Sequence, residues 1–170
     1  MKRINVSVYT IKSYRAFQKL LYKKVKLLSY ITSFLLCLIG VLLLFFQYAG
    51  YIYLVLAISL PIFVHYFIKL LESENIKKNA LLRCGARQTF SFLDECVSIN
   101  QVSKLGDFND EYYYKELLSV YKNKEYYFLF ITRTQAFIME RNGFVGIGEE
   151  EFDTFLKEKI GKRFIDKARK

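Results

Sequence analysis

Apolar and polar positions follow three different rhythms along this chain. Residues 4–8 (INVSV) place Ile4, Val6 and Val8 on one side, the two-residue period of a short strand. Residues 12–28 change to a helical period. Lys12, Arg15, Lys19, Lys23 and Lys26 fall on one stripe, and Tyr14, Phe17, Leu21, Val25 and Leu28 on the opposite one. Residues 27–68 then have no polar face at all, with 42 positions free of Asp, Glu, Lys and Arg. One helix of that length would measure ~63 Å, twice the ~30 Å hydrocarbon core of a bilayer, so the run must fold back. The stretch QYAGY (47–51) supplies the turn through Gln47 and Gly50. Two spans are predicted, about 30–48 and 51–71, with Tyr30, Tyr48, Tyr51, Tyr53 and Tyr66 near their ends, where amphipathic rings are favoured. A cleaved signal peptide would have a shorter basic arm and no second span. A buried soluble hairpin would keep a polar face, which SFLLCLIGVLLLFF lacks.

After residue 71 the rhythm changes again. Residues 71–84 (LESENIKKNALLRC) continue the second span as an exposed helix that stops at Gly85. RQTFSFL, CVSINQV, YYYKELLSVYKN, KEYYFLFIT and AFIMERN read as strands of an antiparallel sheet, separated by turn-forming pieces such as SKLGDFND and NGFVGIG. The chain closes in a helix, EEEFDTFLKEKIGKR, with acids at its start and bases at its end as the helix dipole favours. Phe152, Phe155, Leu156 and Ile160 lie on one face and should cover the sheet. The expected fold is an α+β membrane protein: a two-span α-helical hairpin plus a small, strongly bent antiparallel β sheet closed by a C-terminal helix. Its parts are a strand and basic helix (1–28), the hairpin (29–71), a helical connector (72–87) and the β domain (88–170).

Charge orients this arrangement. Of 26 Lys and Arg, nine precede residue 72, leaving 17 against all 16 Asp and Glu, so the formal net charge of +10 belongs almost wholly to the N-terminal arm and Lys69. Basic residues flank both outer ends of the hairpin and none occupies its loop, which predicts a multi-pass cell-membrane protein with both termini cytoplasmic. Lys12, Arg15, Lys19, Lys23, Lys26 and Lys69 are candidates for contact with an anionic inner leaflet. A near-neutral globular part argues against nucleic acid as a partner. Cys37, Cys84 and Cys96 have no framework spacing and suit free thiols in a reducing compartment.

Candidate chemistry is sparse. Gly143, Gly146 and Gly148 precede a helix but lack the Lys-Ser/Thr of a phosphate loop, and three acids follow, so they read as a connecting turn. Neither Cys84 nor Cys96 has a histidine in the same part of the chain to act as base. His65 reads as a neutral residue at the membrane boundary, Gly40 as a place where helices approach closely, and Pro61 as a kink. Asp107, Asp110 and Glu111 read as a solvated loop. No catalytic, metal or cofactor site is expected. Tyrosines beside Lys115, Lys122 and Lys124 are the remaining candidate, with Tyr112, Tyr114, Tyr121 and Tyr127 as a surface for a protein partner against the alternative of ordinary strand packing.

YYYKELLSVYKNKEYYFLFITRTQAFIMERNGF followed by EEEFDTFLKEKI resembles the YcxB-like family of bacterial membrane proteins, and the order of elements fits that likeness over nearly the whole chain. Where that family shows a proline and a basic residue before the terminal aromatic, this chain has Glu140-Arg141. The resemblance implies a cytoplasmic domain similar to bacterial pleckstrin-homology-like domains, an antiparallel β half-barrel capped by the C-terminal helix, and carries no functional residue with it. The function expected is a non-enzymatic adaptor anchored at the inner leaflet, with a membrane-protein partner and room for a homo-oligomer. The alternatives are a bacteriocin-immunity or membrane-stress protein and an accessory subunit of a membrane transporter or enzyme complex.

Overall fold

The computed structural model describes residues 3–45 and 50–168. Of the turn expected at 47–51, residues 47–49 with Tyr48 lie outside them, while Gly50 and Tyr51 already belong to the second long helix. The chain divides into two compact units, residues 18–78 and residues 1–17 with 79–170.

The first unit is a pair of long helices. Helix α1 (Ile11–Phe45) is continuous, so the basic arm and the first predicted span are one helix. Thr10 and Ser13 start it by capping each other: Thr10 Oγ1 accepts from the Ser13 N–H at 3.1 Å and Ser13 Oγ from the Thr10 N–H at 3.0 Å. Helix α2 (Gly50–Lys78) runs through Pro61. The two helices meet through small residues. Ser33 Oγ donates to the Ala57 carbonyl, and a Cβ added at Gly40 would lie 2.9 Å from Leu54 Cδ2 and 3.0 Å from the Gly50 carbonyl. Gly40 therefore does permit close helix contact, and the contact is with α2 of the same chain. The connector is broken where the sequence suggested one helix. Asn79 Oδ1 accepts from the N–H groups of Leu81 (3.1 Å) and Leu82 (3.3 Å), ending α2 and capping helix α3 (Ala80–Cys84). Gly85 then closes α3 in the left-handed conformation, φ 59°.

The second unit is built on two sheets. The first has the order β4-β3-β2-β1-β8, where β1 is Arg3–Val8, β2 Arg87–Phe92, β3 Cys96–Val102, β4 Phe108–Tyr113 and β8 Phe144–Val145, all antiparallel. The second has the order β7-β6-β5-β9, with β5 Ser119–Lys122, β6 Tyr126–Phe130, β7 Ala136–Glu140 and β9 Phe164–Asp166. Helix α4 (Glu149–Ile160) seals the core as its pattern predicted, with Phe152, Phe155, Leu156 and Ile160 all buried. The Phe152 ring lies 4.5 Å from Phe144, 4.7 Å from Phe92 and 5.6 Å from Tyr127, so one side chain ties together both sheets. Burying a ring of this size stabilises the fold by about 2–3 kcal/mol.

No backbone ladder joins β1 to β7; side chains bridge them. Asn5 Nδ2 donates to the Glu140 carbonyl at 2.8 Å, and the Glu140 N–H donates to Ser7 Oγ at 2.7 Å. Gly143 lies so close to the Val6 carbonyl that a Cβ there would collide with it. Glu140-Arg141 thus forms a fixed turn without the proline of the resembling family.

Three expectations change. The run at 112–123 is two elements, because a turn at 114–116 separates β4 from β5. Residues 108–110 belong to β4, and 144–145 of the expected turn NGFVGIG form β8. The chain does not end in the helix: Gly161 (φ 57°) redirects it into β9, which pairs with β5 in parallel, so the sheets are not wholly antiparallel. Arg163 holds this return by donating to the carbonyls of Leu117 (2.5 Å) and Tyr114 (3.1 Å).

Candidate functional site

Val120 and Lys122 share one face of β5, and alternation turns both inward. Lys122 is 7% exposed, so its ammonium must find anions inside the fold. Helix α4 supplies them one turn apart. Lys122 Nζ lies 2.8 Å from Glu149 Oε1 and pairs with Asp153 Oδ2. Tyr127 from β6 completes the set, its hydroxyl donating to Asp153 Oδ1 at 2.6 Å with Glu149 Oε1 at 3.2 Å. From the turn after β7, Arg141 Nε donates to Glu149 Oε1 at 2.5 Å, and its Nη1 to the Lys124 carbonyl at 2.9 Å.

Two cations meet two carboxylates, and the mutual bonds favour the charged forms of Glu149, Lys122 and Arg141. For Glu149, burial opposes ionisation, but the bonds from Arg141 and Lys122 override it and hold the carboxyl down at about 2. Burial likewise opposes charge on Lys122, and the bonds to Asp153 and Glu149 prevail and push its pKa up. Burial, and then the bond to Asp153, raise the Tyr127 hydroxyl far above its ordinary range. Glu149, Lys122 and Tyr127 are each moved away from neutrality, whereas a general acid or base works best near it. What it does is clamp the start of α4 to the second sheet. Among the described residues no group of His, Cys, Asp and Glu is arranged to hold a metal ion.

Beside the clamp lies a groove of about 600 Å³, lined by Thr10, Lys12, Lys124, Glu125, Tyr126, Glu140, Arg141, Asn142 and Glu149. Its rim is crossed by Lys12 Nζ and Glu125 Oε2 at 3.1 Å. The groove is polar and carries both signs of charge, unlike the predominantly apolar lining of a small-molecule pocket.

The tyrosine surface must be corrected. Tyr127 and Tyr114 are buried (0% and 5% exposed), and Tyr114 donates its hydroxyl to the Leu93 carbonyl at 2.7 Å. Tyr112 and Tyr121 are half-buried against Phe137 and Phe128. Ordinary packing therefore accounts for most of the set. The physical reason is that β6 is covered on both faces: Tyr127 and Leu129 enter the core, while Phe128 and Phe130 lie 6.0 and 5.9 Å from Phe17 of α1. Lys122, read as a surface neighbour of these rings, is the buried centre of the clamp.

The basic residues are spread along the helices. Lys12 is paired with Glu125; Arg15, Lys19, Lys23 and Lys69 are exposed in area and Lys26 is half-buried. The apolar stripe opposite them is covered only at its start. Tyr14 and Phe17 are buried, but Val25 and Leu28 are 47% and 64% exposed. His65 is exposed on α2; Cys37 is exposed, Cys84 half-buried and Cys96 buried, all three as free thiols. Asp110 and Glu111 stand on β4, outside any loop. The clamp itself was missed. Its signals were a lysine in phase with Val120 and two acids four residues apart beside Phe152.

These features define a class: an α+β domain whose chain is interrupted by a long two-helix hairpin. Residues 102–157 match the family model of the YcxB-like proteins, a span that contains all four charges of the clamp and covers about a third of the chain, narrower than the likeness read from the element order. No curated protein and no solved structure matches the chain.

Proposed function

We propose that this protein is a non-enzymatic adaptor of the cell membrane, anchored by α1 and α2, with both termini cytoplasmic and a pleckstrin-homology-like domain presented at the inner leaflet. The observation that carries this reading is the bare apolar surface of the two helices. In their most apolar 18-residue stretches only 6% and 11% of residues are buried, although a core helix of a soluble protein would be mostly covered. Leu35, Leu42, Ile58, Ile62 and Phe63 are 52–68% exposed, and lipid is the solvent that such a surface needs. Two sheets with a terminal helix over their shared core support the pleckstrin-like reading. The mutually neutralised clamp supports a binding role over a catalytic one, and the two-signed groove is the surface offered to a protein partner.

Topology is tested with a thiol reagent that cannot cross the bilayer. Cys84 should react only after cells are opened, and the protein should stay in the membrane through an alkaline wash. Labelling of Cys84 in intact cells, or release by the wash, overturns the reading. A photo-crosslinking residue at Lys124 should trap a discrete membrane-protein adduct in native membranes; no adduct from any position on the groove rim removes the adaptor role.

A further inference from the structure

The register of the hairpin brings its charges to one level. Ser33 faces Ala57, and Gly40 faces Gly50. In antiparallel helices each residue back along α1 matches one residue forward along α2. Lys69 therefore falls level with Leu21, between Lys19 and Lys23, and Tyr66 falls level with Lys24. Lys19, Lys23, Lys24 and Lys69 are exposed, and among the described residues none of the four takes part in an ion pair. The first acid on either helix, Glu72, comes nearly a turn beyond Lys69. On the other side of this level, 27–45 of α1 and 50–68 of α2 carry no charged residue, about 19 residues or ~28 Å each. That matches the ~30 Å hydrocarbon core and puts the four ammonium groups at the depth of the phosphates. Tyr66, 68% exposed, stands at the same level, where its ring and hydroxyl suit the interface.

We propose that Lys19, Lys23, Lys24 and Lys69 form a collar that selects anionic phospholipid headgroups, so that the hairpin gathers a shell of anionic lipid at one leaflet. The inference rests on the membrane-spanning reading above and narrows it. Lys12 has no part in the collar, because Glu125 already neutralises it. Charge complementarity decides the occupant: four unpaired cations with no acid among them repel one another unless phosphates intervene.

The full-length protein is reconstituted into phosphatidylcholine vesicles holding traces of spin-labelled phosphatidylglycerol or phosphatidylcholine, and the motionally restricted fraction of each label is measured. Phosphatidylglycerol should be preferred by about twofold or more, and the preference should collapse in about 1 M salt and in the K19Q/K23Q/K24Q/K69Q variant. Equal restriction of the two labels by the unaltered protein overturns the collar while leaving the spanning helices intact. A preference indifferent to salt overturns it too, and this arm holds even if the variant fails to reconstitute. Absence of the unaltered protein from floated vesicles would sink the spanning reading instead.

Discussion

Replacing Lys122 by Met keeps most of the side chain's volume and removes its charge. The consequence follows from what remains around the vacated ammonium. Glu149 keeps the 2.5 Å bond from Arg141 and stays compensated. Asp153, only 13% exposed, keeps the Tyr127 hydroxyl at 2.6 Å and loses its counter-charge. Removing one partner of a buried ion pair costs about 3–5 kcal/mol, and the surviving bonds place this case at the lower end, near 3 kcal/mol. Removing Asp153 as well, in K122M/D153L, abolishes the orphaned charge and should recover about 2 kcal/mol of that loss. Cys96 reports the transition, since the residue is only 8% exposed in the folded domain and its peptide can be resolved by mass spectrometry after pulse-labelling in urea. The measurement uses the full chain in detergent. A loss below about 0.5 kcal/mol for K122M, the scale of a surface pair, would refute the view that these charges act from within a desolvated clamp.

Glu149 makes the clamp pH-dependent in a defined direction. Its carboxyl titrates at about 2 when folded against an ordinary 4.5, so its contribution is present above pH 4.5 and is lost as pH falls from there towards 2. Thermal midpoints of the unaltered domain should decline through that window, and E149Q should flatten the decline; parallel curves would remove the clamp from the explanation. Gly50→Val should force α1 and α2 apart, because any Cβ there meets the Gly40 carbonyl, at a cost of about 1–3 kcal/mol. A disulfide between S33C and A57C, which forms across the contact seen here, should form more slowly in that variant, and an unchanged rate would contradict the register.

The apolar hairpin, the terminal helix and most strands were legible in the sequence because each repeats one local rule many times. A run of 42 uncharged residues specifies long apolar helices regardless of its neighbours, and Phe152, Phe155, Leu156 and Ile160 mark a covered face by spacing alone. Gly85 was legible as a helix stop for the same reason: the left-handed conformation is a local demand. Elements of two or three residues carry too few positions to show a period, so β8 and β9 were out of reach. So was the parallel pairing of β9 with β5, which depends on where α4 delivers the chain.

Tertiary structure alone decided which face of each strand meets water. Alternation says that neighbouring tyrosines point opposite ways; it does not say that both faces of β6 are covered, one by the core and the other by Phe17. The same covering turned Lys122 from a surface residue into the centre of an ion cluster, since its partners Glu149 and Asp153 lie some 30 residues away in the sequence. Burial and ion pairing are properties of what packs against a residue, and a local pattern holds no record of that.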